Sequence, residues 1–552
     1  MTAGTNRTSI VQSPLLYPTL LAAHTASLGQ YWHKLTDPTF KGIYHANFFD
    51  LAMMIPYFLV LFVLATYGLH RYWLVYDYYT YAKNVPGPPP EPTHWPRVTI
   101  QLPIFNERYV IERLVEAISR FDYPREFLDV QVLDDSTDET QQVARDCVDR
   151  FAAQGMPIVY IHRMNREGYK AGALENGLKT SRGEFVAIFD ADFIPEPDFL
   201  RRTIPYFQNR EIGMVQARWT YLNRDYSLLT QVETILLDGH FVVEHGARSR
   251  RGTFFNFNGT AGVWRRQAID DAGGWQHDTL TEDTDLSYRA QLFGWKFLYL
   301  PNVECASELP VDMNGFKAQQ ARWAKGLMQT AKKILPKVFA SNVPWHVKAE
   351  AFFHLTANIS YPLMVLLSTM LLPAMIVRFY QGWFQMLVID LPLFLASTCS
   401  ISSFYLVAQR ELRPKSWWRT FLYMPFVMAT GIGISVRNAQ GVLEAIVGKK
   451  SEFARTPKYK IEGKSGSFVR KSYRNKAGWM PYAEVLLGIY FAFTVVYAVL
   501  NENYATVPFL LLFVWGYLYT GFMSLGQTYF AHLRFGVEAP EMRPAASGAP
   551  GF

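Results

Sequence analysis

Short apolar runs alternate with longer amphipathic stretches between residues 97 and 300. The short runs predict strands, and the stretches between them have the apolar spacing of helices. This alternation is typical of an α/β fold, a mostly parallel sheet with helices on both faces. The predicted strands are 98–102, 130–133, 158–161, 185–189 and 213–216, and the predicted helices include 109–120, 139–154 and 285–293.

Uninterrupted apolar runs of roughly 20 residues lie on both sides of this region, and that is the length a helix needs to cross a bilayer. We predict about five spans, with interface helices beside them. The spans are 51–70, 352–377, 384–408, 482–500 and 504–526. The chain then divides into an N-terminal segment with the first span and a proline-rich linker (1–96), an α/β domain with an interface helix (97–345), and a C-terminal membrane region (346–552).

The apolar stretch 421–436 differs from the other runs because basic residues are dense on both sides of it, in 410–419 and 437–480. Positive residues in short loops tend to stay cytoplasmic. If 421–436 crossed the membrane, the two basic segments would face opposite sides. We therefore predict that it lies in the interface, or enters and returns, with a sixth span as the alternative. The α/β domain and both basic segments are then cytoplasmic.

Composition agrees with a protein that lies partly in lipid. Of 552 residues, 50% are hydrophobic and 16% are aromatic, which is rich for a soluble protein. The net charge of +7 is modest, and no zinc-finger, basic-zipper or RNA-binding signature is present, so we predict membrane lipid and no nucleic acid as a partner. Three widely spaced cysteines indicate neither a disulfide framework nor a metal site. The N-terminus lacks the pattern of a cleaved signal peptide.

The end of the predicted strand 185–189 carries the first candidate chemistry. Asp190 and Asp192 follow this strand directly, with one residue between them. In open α/β sheets, ligands bind beyond the carboxyl ends of the strands, and carboxylate oxygens suit Mg²⁺ or Mn²⁺ bridged to a diphosphate. The pair therefore indicates a metal site, and a solvated turn is the alternative.

Other strand ends also carry polar side chains. Glu107, near the first strand, and Asp135, after the second, can hydrogen-bond a base and a ribose. Lys170 lies between two glycines, Gly168 and Gly172, and can reach a phosphate as a point charge. A helix-capping turn at 134–138 and a solvated cation at Lys170 are the alternatives.

Later motifs add candidates for proton transfer and sugar binding. Glu282 and Asp283 precede a predicted helix, where a carboxylate could accept a proton, with helix capping as the alternative. Arg322 can contact phosphate and Trp323 offers a flat face to a sugar ring, unless this is an interface helix anchored by its Trp. The small and aromatic residues of 255–264 suit a close approach of backbone to a sugar, or a turn packed beneath aromatics.

Six motifs in a fixed order carry a resemblance to a known family. The chain resembles the membrane-integrated family 2 glycosyltransferases, whose members include cellulose, hyaluronan and mannan synthases, over roughly residues 98–530. Segments 255–264 and 272–275 look most like the plant cellulose-synthase-like mannan and glucan synthases and their bacterial relatives. Segment 453–458 is similar to the gating loop of cellulose synthases, except that Arg455 replaces a valine. The six motifs are 103–107, 134–135, 170–172, 190–192, 281–283 and 319–323.

The resemblance implies a GT-A fold and a processive, inverting β-glycosyltransferase. It implies extension of a β-glucan, mannan or glucomannan from UDP-glucose or GDP-mannose, with Mg²⁺ or Mn²⁺ as cofactor. The implied roles are general base for Asp283, metal binding for Asp190 and Asp192, donor binding for Glu107, Asp135, Lys170, Asp190 and Arg322, and acceptor binding for Trp323 and Glu282.

Two other functions stay open at this point. An enzyme of the same chemistry could add one sugar to a lipid acceptor instead of extending a glycan, although the Trp323 motif and the predicted spans favour extension. A catalytically silent membrane scaffold is the other alternative, and the intact carboxylates argue against it. In each case we expect an integral membrane protein, of the bacterial inner (plasma) membrane, with its catalytic domain in the cytoplasm.

Overall fold

The computed structural model describes residues 47–380, 392–449, 456–466, 468 and 478–535. The sheet consists of β1 (Val98–Ile104), β2 (Leu128–Asp134), β3 (Ile158–His162), β4 (Phe185–Ile188), β5 (Ile194–Pro195), β6 (Ile212–Tyr221), β7 (Gly262–Arg265) and β8 (Lys296–Ser307). The α-helices are α1 (Phe48–Thr80), α2 (Ile111–Ser119), α3 (Thr140–Ala153), α4 (Tyr169–Leu178), α5 (Phe199–Thr203), α6 (Leu228–Asp238), α7 (Gly246–Arg251), α8 (Arg266–Asp271), α9 (Glu282–Phe293), α10 (Met313–Ala340), α11 (Trp345–Thr356), α12 (Ser360–Tyr380), α13 (Ser400–Leu412), α14 (Met424–Gly433), α15 (Ser435–Ile446), α16 (Met480–Leu500) and α17 (Val507–Phe535).

The sheet confirms the predicted fold class. Its strand order is β3-β2-β1-β4-β7-β6-β8-β5. Strands β1 to β4 pair in parallel, as do β6 and β8, whereas β7 runs antiparallel to both of its neighbours. The carboxyl ends of β1, β2, β4, β6 and β8 therefore meet at one edge, together with the amino end of β7. The candidate chemistry of the sequence lies at this edge.

Strand β4 shows why both faces of the sheet are covered. Successive side chains of a strand point to opposite faces. Phe185, Ala187 and Phe189 belong to one hydrophobic core, which includes residues of α2 and α3. Val186 and Ile188 belong to the other, which includes residues of α4 and α8. A strand that buries both faces needs apolar residues at every position, which explains why residues 185–189 are all apolar.

Three strands were not predicted from the sequence. Strand β7 lies in the segment that we interpreted as a loop, and its four residues pair with β4 and β6 on either side. Strand β8 is long and contains a proline and charged residues, and the two-residue β5 pairs only with it. Long-range pairing stabilises such strands, and their own residues carry little periodic signal.

Four helices are long and apolar enough to cross a membrane among the residues that the structure describes. They are Phe48–Thr80, Trp345–Phe379, Met480–Leu500 and Tyr504–Tyr529. They contain four of the five predicted spans. The other, 384–408, falls partly on residues 381–391, outside the described residues, and stays a prediction. The described remainder contains a π-helical turn, Leu395–Cys399, followed by α13.

The stretch 421–436 forms a short helix instead of a long one. Helix α14 has ten residues and ends at Gly433, and α15 begins at Ser435, after one intervening residue. Ten residues of helix rise about 15 Å, half of the roughly 30 Å of hydrocarbon in a bilayer. The break supports the prediction that this stretch lies in the interface or re-enters, and that placement stays a prediction.

A buried ion pair joins the long helix α10 to the candidate span α16. Lys317 Nζ donates to Glu484 Oε2 at 2.7 Å and to Ser524 Oγ at 3.2 Å. Both charged side chains are almost fully buried. Since α10 also carries Arg322 and Trp323, this pair ties the helix that bears two candidate site residues to the membrane region.

We predict that Glu484→Leu destabilises the protein by about 3–5 kcal/mol, because it leaves the ammonium of Lys317 buried and unpaired. The double variant Lys317→Met/Glu484→Leu should recover most of this loss, since it removes both charges and keeps apolar volume. Unfolding of the detergent-solubilised variants measures both effects. A double variant as unstable as Glu484→Leu would contradict this account.

Candidate active site

All nine predicted site residues line a single cavity at the carboxyl edge of the sheet. Strand ends carry one part of the set, and helices α4, α9 and α10 carry the other. The nine residues are Glu107, Asp135, Lys170, Asp190, Asp192, Glu282, Asp283, Arg322 and Trp323. Residues separated by more than 200 positions in the sequence therefore face a common space.

Asp190 forms an ion pair with Lys170, close to the turn that precedes β7. Lys170 Nζ contacts Asp190 Oδ1 and also donates to the carbonyl oxygen of Gly259 at 2.9 Å. The backbone N–H of Asp190 donates to Thr260 Oγ1 at 2.9 Å. Burial opposes the charge of Lys170, but the carboxylates of Asp190 and Glu282 raise the pKa of its ammonium, so it stays a cation.

Asp192 forms an ion pair with Lys458, a residue of the segment similar to a gating loop. Lys458 Nζ lies 2.9 Å from Asp192 Oδ2 and also contacts the carbonyl oxygen of Glu308. Glu308 accepts from the backbone N–H of Tyr459 at 2.7 Å and pairs with Arg113 at 3.3 Å. Residues 453–455 of the gating-type segment lie outside the described residues, whereas Lys458 at its end contacts Asp192 of the predicted metal pair.

Each carboxylate of the predicted metal pair thus has a lysine beside it. Among the described residues, no group of three or more His, Cys, Asp or Glu side chains is positioned to hold a metal ion. Two carboxylates nevertheless suit Mg²⁺ or Mn²⁺, because these ions are commonly held by one or two carboxylates together with substrate phosphates. The Asp190 side chain is about one-third exposed to the cavity. The donor set therefore fits a cation that arrives with a diphosphate.

Asp135 is held in place by Arg163, which sequence reasoning missed. Arg163 Nε donates to Asp135 Oδ1 at 2.8 Å, and a second guanidinium nitrogen contacts Oδ2. The same guanidinium donates to the carbonyl oxygens of Glu167 and Tyr169 at 3.0 Å each. The Asp135 carboxylate is therefore oriented before any ligand binds, and it retains lone pairs for further donors.

The pair Glu282 and Asp283 begins helix α9 at the wall of the cavity. Burial, and then the neighbouring carboxylate of Glu282, raise the pKa of Asp283 to about 7. The backbone N–H of Thr284 donates to Asp283 Oδ1 at 2.6 Å and partly offsets this shift. Burial likewise raises the pKa of Glu282. A carboxylate whose pKa lies near neutrality is suited to accept a proton at physiological pH.

Arg322 lies among the acidic side chains of the cavity. Burial lowers the pKa of its guanidinium, and the carboxylates of Glu282, Asp190 and Asp283 oppose this shift. An arginine keeps its charge in such surroundings and can bind phosphate with two parallel hydrogen bonds. Trp323, the next residue of α10, lines the same cavity.

The turn before β7, residues 258–260, is held by a network of histidines that sequence reasoning did not identify. Asn258 Oδ1 accepts from His240 Nε2 at 3.1 Å, and its amide nitrogen lies 3.0 Å from His245 Nε2. The Asn258 backbone N–H donates to Gln216 Oε1 at 2.9 Å. Both histidines belong to a π-helical segment, Gly239–His245, that continues α6. A π-helical segment often marks a functional site, but the sequence carries no reliable signal for one.

Gly259 is the point of closest approach between this turn and Asp283. It has a φ of +80°, and a Cβ at this position would lie 3.0 Å from Asp283 Oδ2 and 3.5 Å from Lys170 Nζ. The predicted close approach of the backbone in 255–264 is therefore present, and it is made toward the acidic pair. A side chain at residue 259 would crowd the Asp283 carboxylate, whereas Lys170 would be at ordinary contact distance from its Cβ.

Comparison with known proteins identifies the domain. Residues 96–326 match the family described as "Glycosyltransferase like family 2". This region is a family 2 glycosyltransferase domain. It contains the whole sheet and the first half of α10, and it includes eight strands and all nine site residues.

Two plant proteins are similar to part of this chain. Glucomannan 4-beta-mannosyltransferase 1 of Oryza sativa subsp. japonica is 48% identical over 249 residues, which are 44% of this chain and 48% of the rice protein. Glucomannan 4-beta-mannosyltransferase 2 of Arabidopsis thaliana is 48% identical over 252 residues, 45% of this chain and 47% of that protein. The match with this chain spans about half the length of each plant protein.

A solved structure is also similar to part of this chain. A mannosyltransferase from Pyrobaculum calidifontis, in complex with GDP-Man and Mn²⁺, is 22% identical with a TM-score of 0.45. The match covers 65% of this chain and 99% of that one.

We predict that Gly259→Ala lowers sugar transfer about 10- to 100-fold, because its methyl group would crowd Asp283 and shift this carboxylate from the geometry of reaction. Gly252→Ala is the matched control: Gly252 has a φ of +75°, and a Cβ there would meet no atom within 4 Å. Both variants carry about 1–2 kcal/mol of backbone strain. Initial rates at saturating substrate measure the effect, and equal losses in the two variants would refute the role of the close approach.

Proposed function

We propose that this protein is an inverting β-hexosyltransferase that extends a mannan- or glucomannan-type polysaccharide from GDP-mannose. One observation carries the proposal: the candidate base Asp283, the acidic pair Asp190 and Asp192, and the cations Lys170 and Arg322 face one cavity. The 48% identity to two plant glucomannan 4-beta-mannosyltransferases supports the choice of mannose as the donor sugar. UDP-glucose is the alternative donor, since the two hexoses differ in one hydroxyl orientation that pocket shape must read.

In this proposal Asp283 is the general base. Its carboxylate accepts the proton of the acceptor hydroxyl while that oxygen attacks the anomeric carbon of the donor sugar. The bond from the anomeric carbon to the diphosphate breaks on the opposite face, so that the configuration inverts. The raised pKa of Asp283 supports this role, because a stronger base takes the proton more readily.

Lys170 and Arg322 stabilise the leaving diphosphate. Both are cations that face the same cavity as the acidic pair. Fixed charges placed where negative charge develops lower the barrier of transfer. Asp190 and Asp192 would hold Mg²⁺ or Mn²⁺, which would supply further stabilisation of the diphosphate charge. For this to occur, the ion pairs with Lys170 and Lys458 must rearrange or pass to the phosphate oxygens.

The remaining site residues would bind the nucleotide of the donor and the acceptor. Asp135, oriented by Arg163, and Glu107 lie at the ends of β2 and β1 and would bind the nucleotide. Trp323 and Glu282 lie on the helices α10 and α9 and would bind the acceptor. A tryptophan face suits a sugar ring, since the ring presents C–H groups on its flat sides.

The contact between Lys458 and Asp192 supports a cytoplasmic domain. Because of this contact, residues 456–466 would lie on the same side of the membrane as the sheet. The basic segment 437–480 includes them, and such segments stay cytoplasmic. Four candidate spans make this an integral membrane protein. Both relatives are plant proteins, so the comparisons do not favour a bacterial inner membrane over another membrane with a cytoplasmic face.

We predict that Asp283→Asn lowers the turnover of the purified protein about 10²- to 10⁴-fold and leaves nucleotide binding nearly unchanged. The amide keeps the shape of the side chain but cannot accept the proton. Turnover is measured with radiolabelled donor, and nucleotide affinity by calorimetry. Unchanged turnover would remove Asp283 from the role of base.

The pH profile of the wild-type protein provides a second measurement of the same group. Because only the carboxylate form accepts a proton, kcat/KM should fall as the pH decreases below about 7, the pKa of Asp283. A profile that stays flat down to pH 5 would assign the proton to another group.

The proposed function predicts a polymeric product. Purified protein incubated with radiolabelled GDP-mannose and Mg²⁺ or Mn²⁺ should form a glycan of many β-linked residues, and chelation of the metal should stop the reaction. UDP-glucose and other nucleotide sugars, tested in parallel, give the donor preference. A short glycolipid as the sole product would favour transfer to lipid, and no product from any donor would favour the scaffold.

A further inference from the structure

Glu233 is a buried carboxyl group that the proposed mechanism does not use. It lies on α6, is 1% exposed, and lines the cavity of the candidate active site. Neither of its carboxyl oxygens has a hydrogen-bond partner within the described parts of the chain. Burial raises the pKa of Glu233 well above its ordinary value, so that the neutral carboxyl is favoured. Such a group can donate one hydrogen bond and accept others.

Other polar atoms of the same cavity also lack partners. The indole N–H of Trp219, on β6, is buried and makes no hydrogen bond to any described residue. The same holds for Gln319 Oε1, on α10, and Thr456 Oγ1. All three residues line the cavity with Glu233. Buried polar groups are nearly always paired, so several unpaired ones around one space indicate a polar ligand with both donors and acceptors.

The strand order separates Trp219 from Asp135, the residue that is proposed to bind the nucleotide. Asp135 follows β2, Asp190 follows β4, and Trp219 lies near the end of β6. The strand order puts β4 between β2 and β6, which are four strand spacings apart, or about 19 Å. A ligand at Trp219 and Glu233 would therefore lie beyond Asp190, on the side away from Asp135.

Helix α6 also links this side of the cavity to the membrane region. Val232 and Ile235 of α6 pack against Met424 and Val427 of the apolar helix α14. Glu233 lies between these two apolar residues in sequence but lines the cavity. Helix α6 thus separates an apolar, membrane-associated surface from a polar cavity. A glycan that leaves the reacting centre toward the membrane would pass this helix.

We propose that Glu233 and the indole N–H of Trp219 form a subsite that binds a hexose unit of the growing glycan, on the membrane side of the reacting centre, by hydrogen bonds to its hydroxyl groups. The subsite rests on the proposed function only for the identity of the glycan. A hexose presents several hydroxyl groups, each of which donates and accepts, and so matches a carboxyl group and an N–H donor that line one cavity.

The unpaired carboxyl group of Glu233 also has a consequence for stability. A buried polar group without a partner destabilises the folded state, and an apolar residue of similar size would remove that penalty. Groups of this kind are typical of sites where function and stability conflict. Glu233→Leu should therefore raise the unfolding temperature by a few degrees while it weakens glycan binding.

The test compares Glu233→Leu with Glu233→Gln, whose amide keeps the shape and both kinds of hydrogen bond. Calorimetric titration with a β-1,4-linked mannohexaose should give a Kd about 10- to 100-fold higher for Glu233→Leu and within about threefold of wild type for Glu233→Gln. The Kd of GDP-mannose should be unchanged in both variants. Trp219→Phe, which removes the N–H and keeps a ring, should weaken oligosaccharide binding about tenfold and serves as a second variant if Glu233→Leu does not fold.

Two outcomes would overturn the inference. One is unchanged oligosaccharide affinity in both Glu233→Leu and Trp219→Phe. The other is that these variants lose affinity for GDP-mannose and not for the oligosaccharide. Binding is measured without turnover, so the result does not depend on transfer. A wild-type protein that binds the oligosaccharide but forms no glycan would refute the proposed function and leave the subsite standing.

Discussion

The candidate active site depends on the balance of charge at one edge of the sheet. Six carboxylates of the predicted set converge there, and their mutual repulsion in a partly buried cavity would be large if they were alone. Lys170, Lys458 and Arg322 lie among them and offset this repulsion. The cations come from α4, from the segment 456–466 and from α10, so the site is complete only when three distant parts of the chain are folded together.

In the proposed function this cavity serves two kinds of chemistry. Asp190 and Asp192 each have a lysine beside them, and they would hold a cation with its diphosphate once these ion pairs rearrange. Asp283 lies beside the carboxylate of Glu282 instead, and burial together with that charge raises its pKa to about 7. Carboxyl groups in different surroundings allow one site to hold charge at one point and take up a proton at another.

The turn at 258–260 adds a geometric constraint to this electrostatic one. Gly259 supplies a carbonyl oxygen to Lys170 and leaves room for Asp283 only because it has no side chain. The histidines that hold Asn258 belong to the π-helical segment that continues α6, the helix that also carries Glu233. The position of the turn is therefore connected to the same helix that packs on α14 at the membrane region.

The sequence by itself determined the strands whose residues are buried on both faces, four long apolar helices and the nine residues that line the cavity. These features are readable because apolar periodicity and motif spacing are local properties of the chain. Only the tertiary structure decided the antiparallel insertion of β7, the π-helical segment, and the partners Arg163, Lys458 and Glu308. Glu233 gave no signal either, since a single glutamate in an amphipathic helix is ordinary. Its burial follows from packing between distant segments, and long-range contacts of that kind leave no periodic trace in the residues that make them.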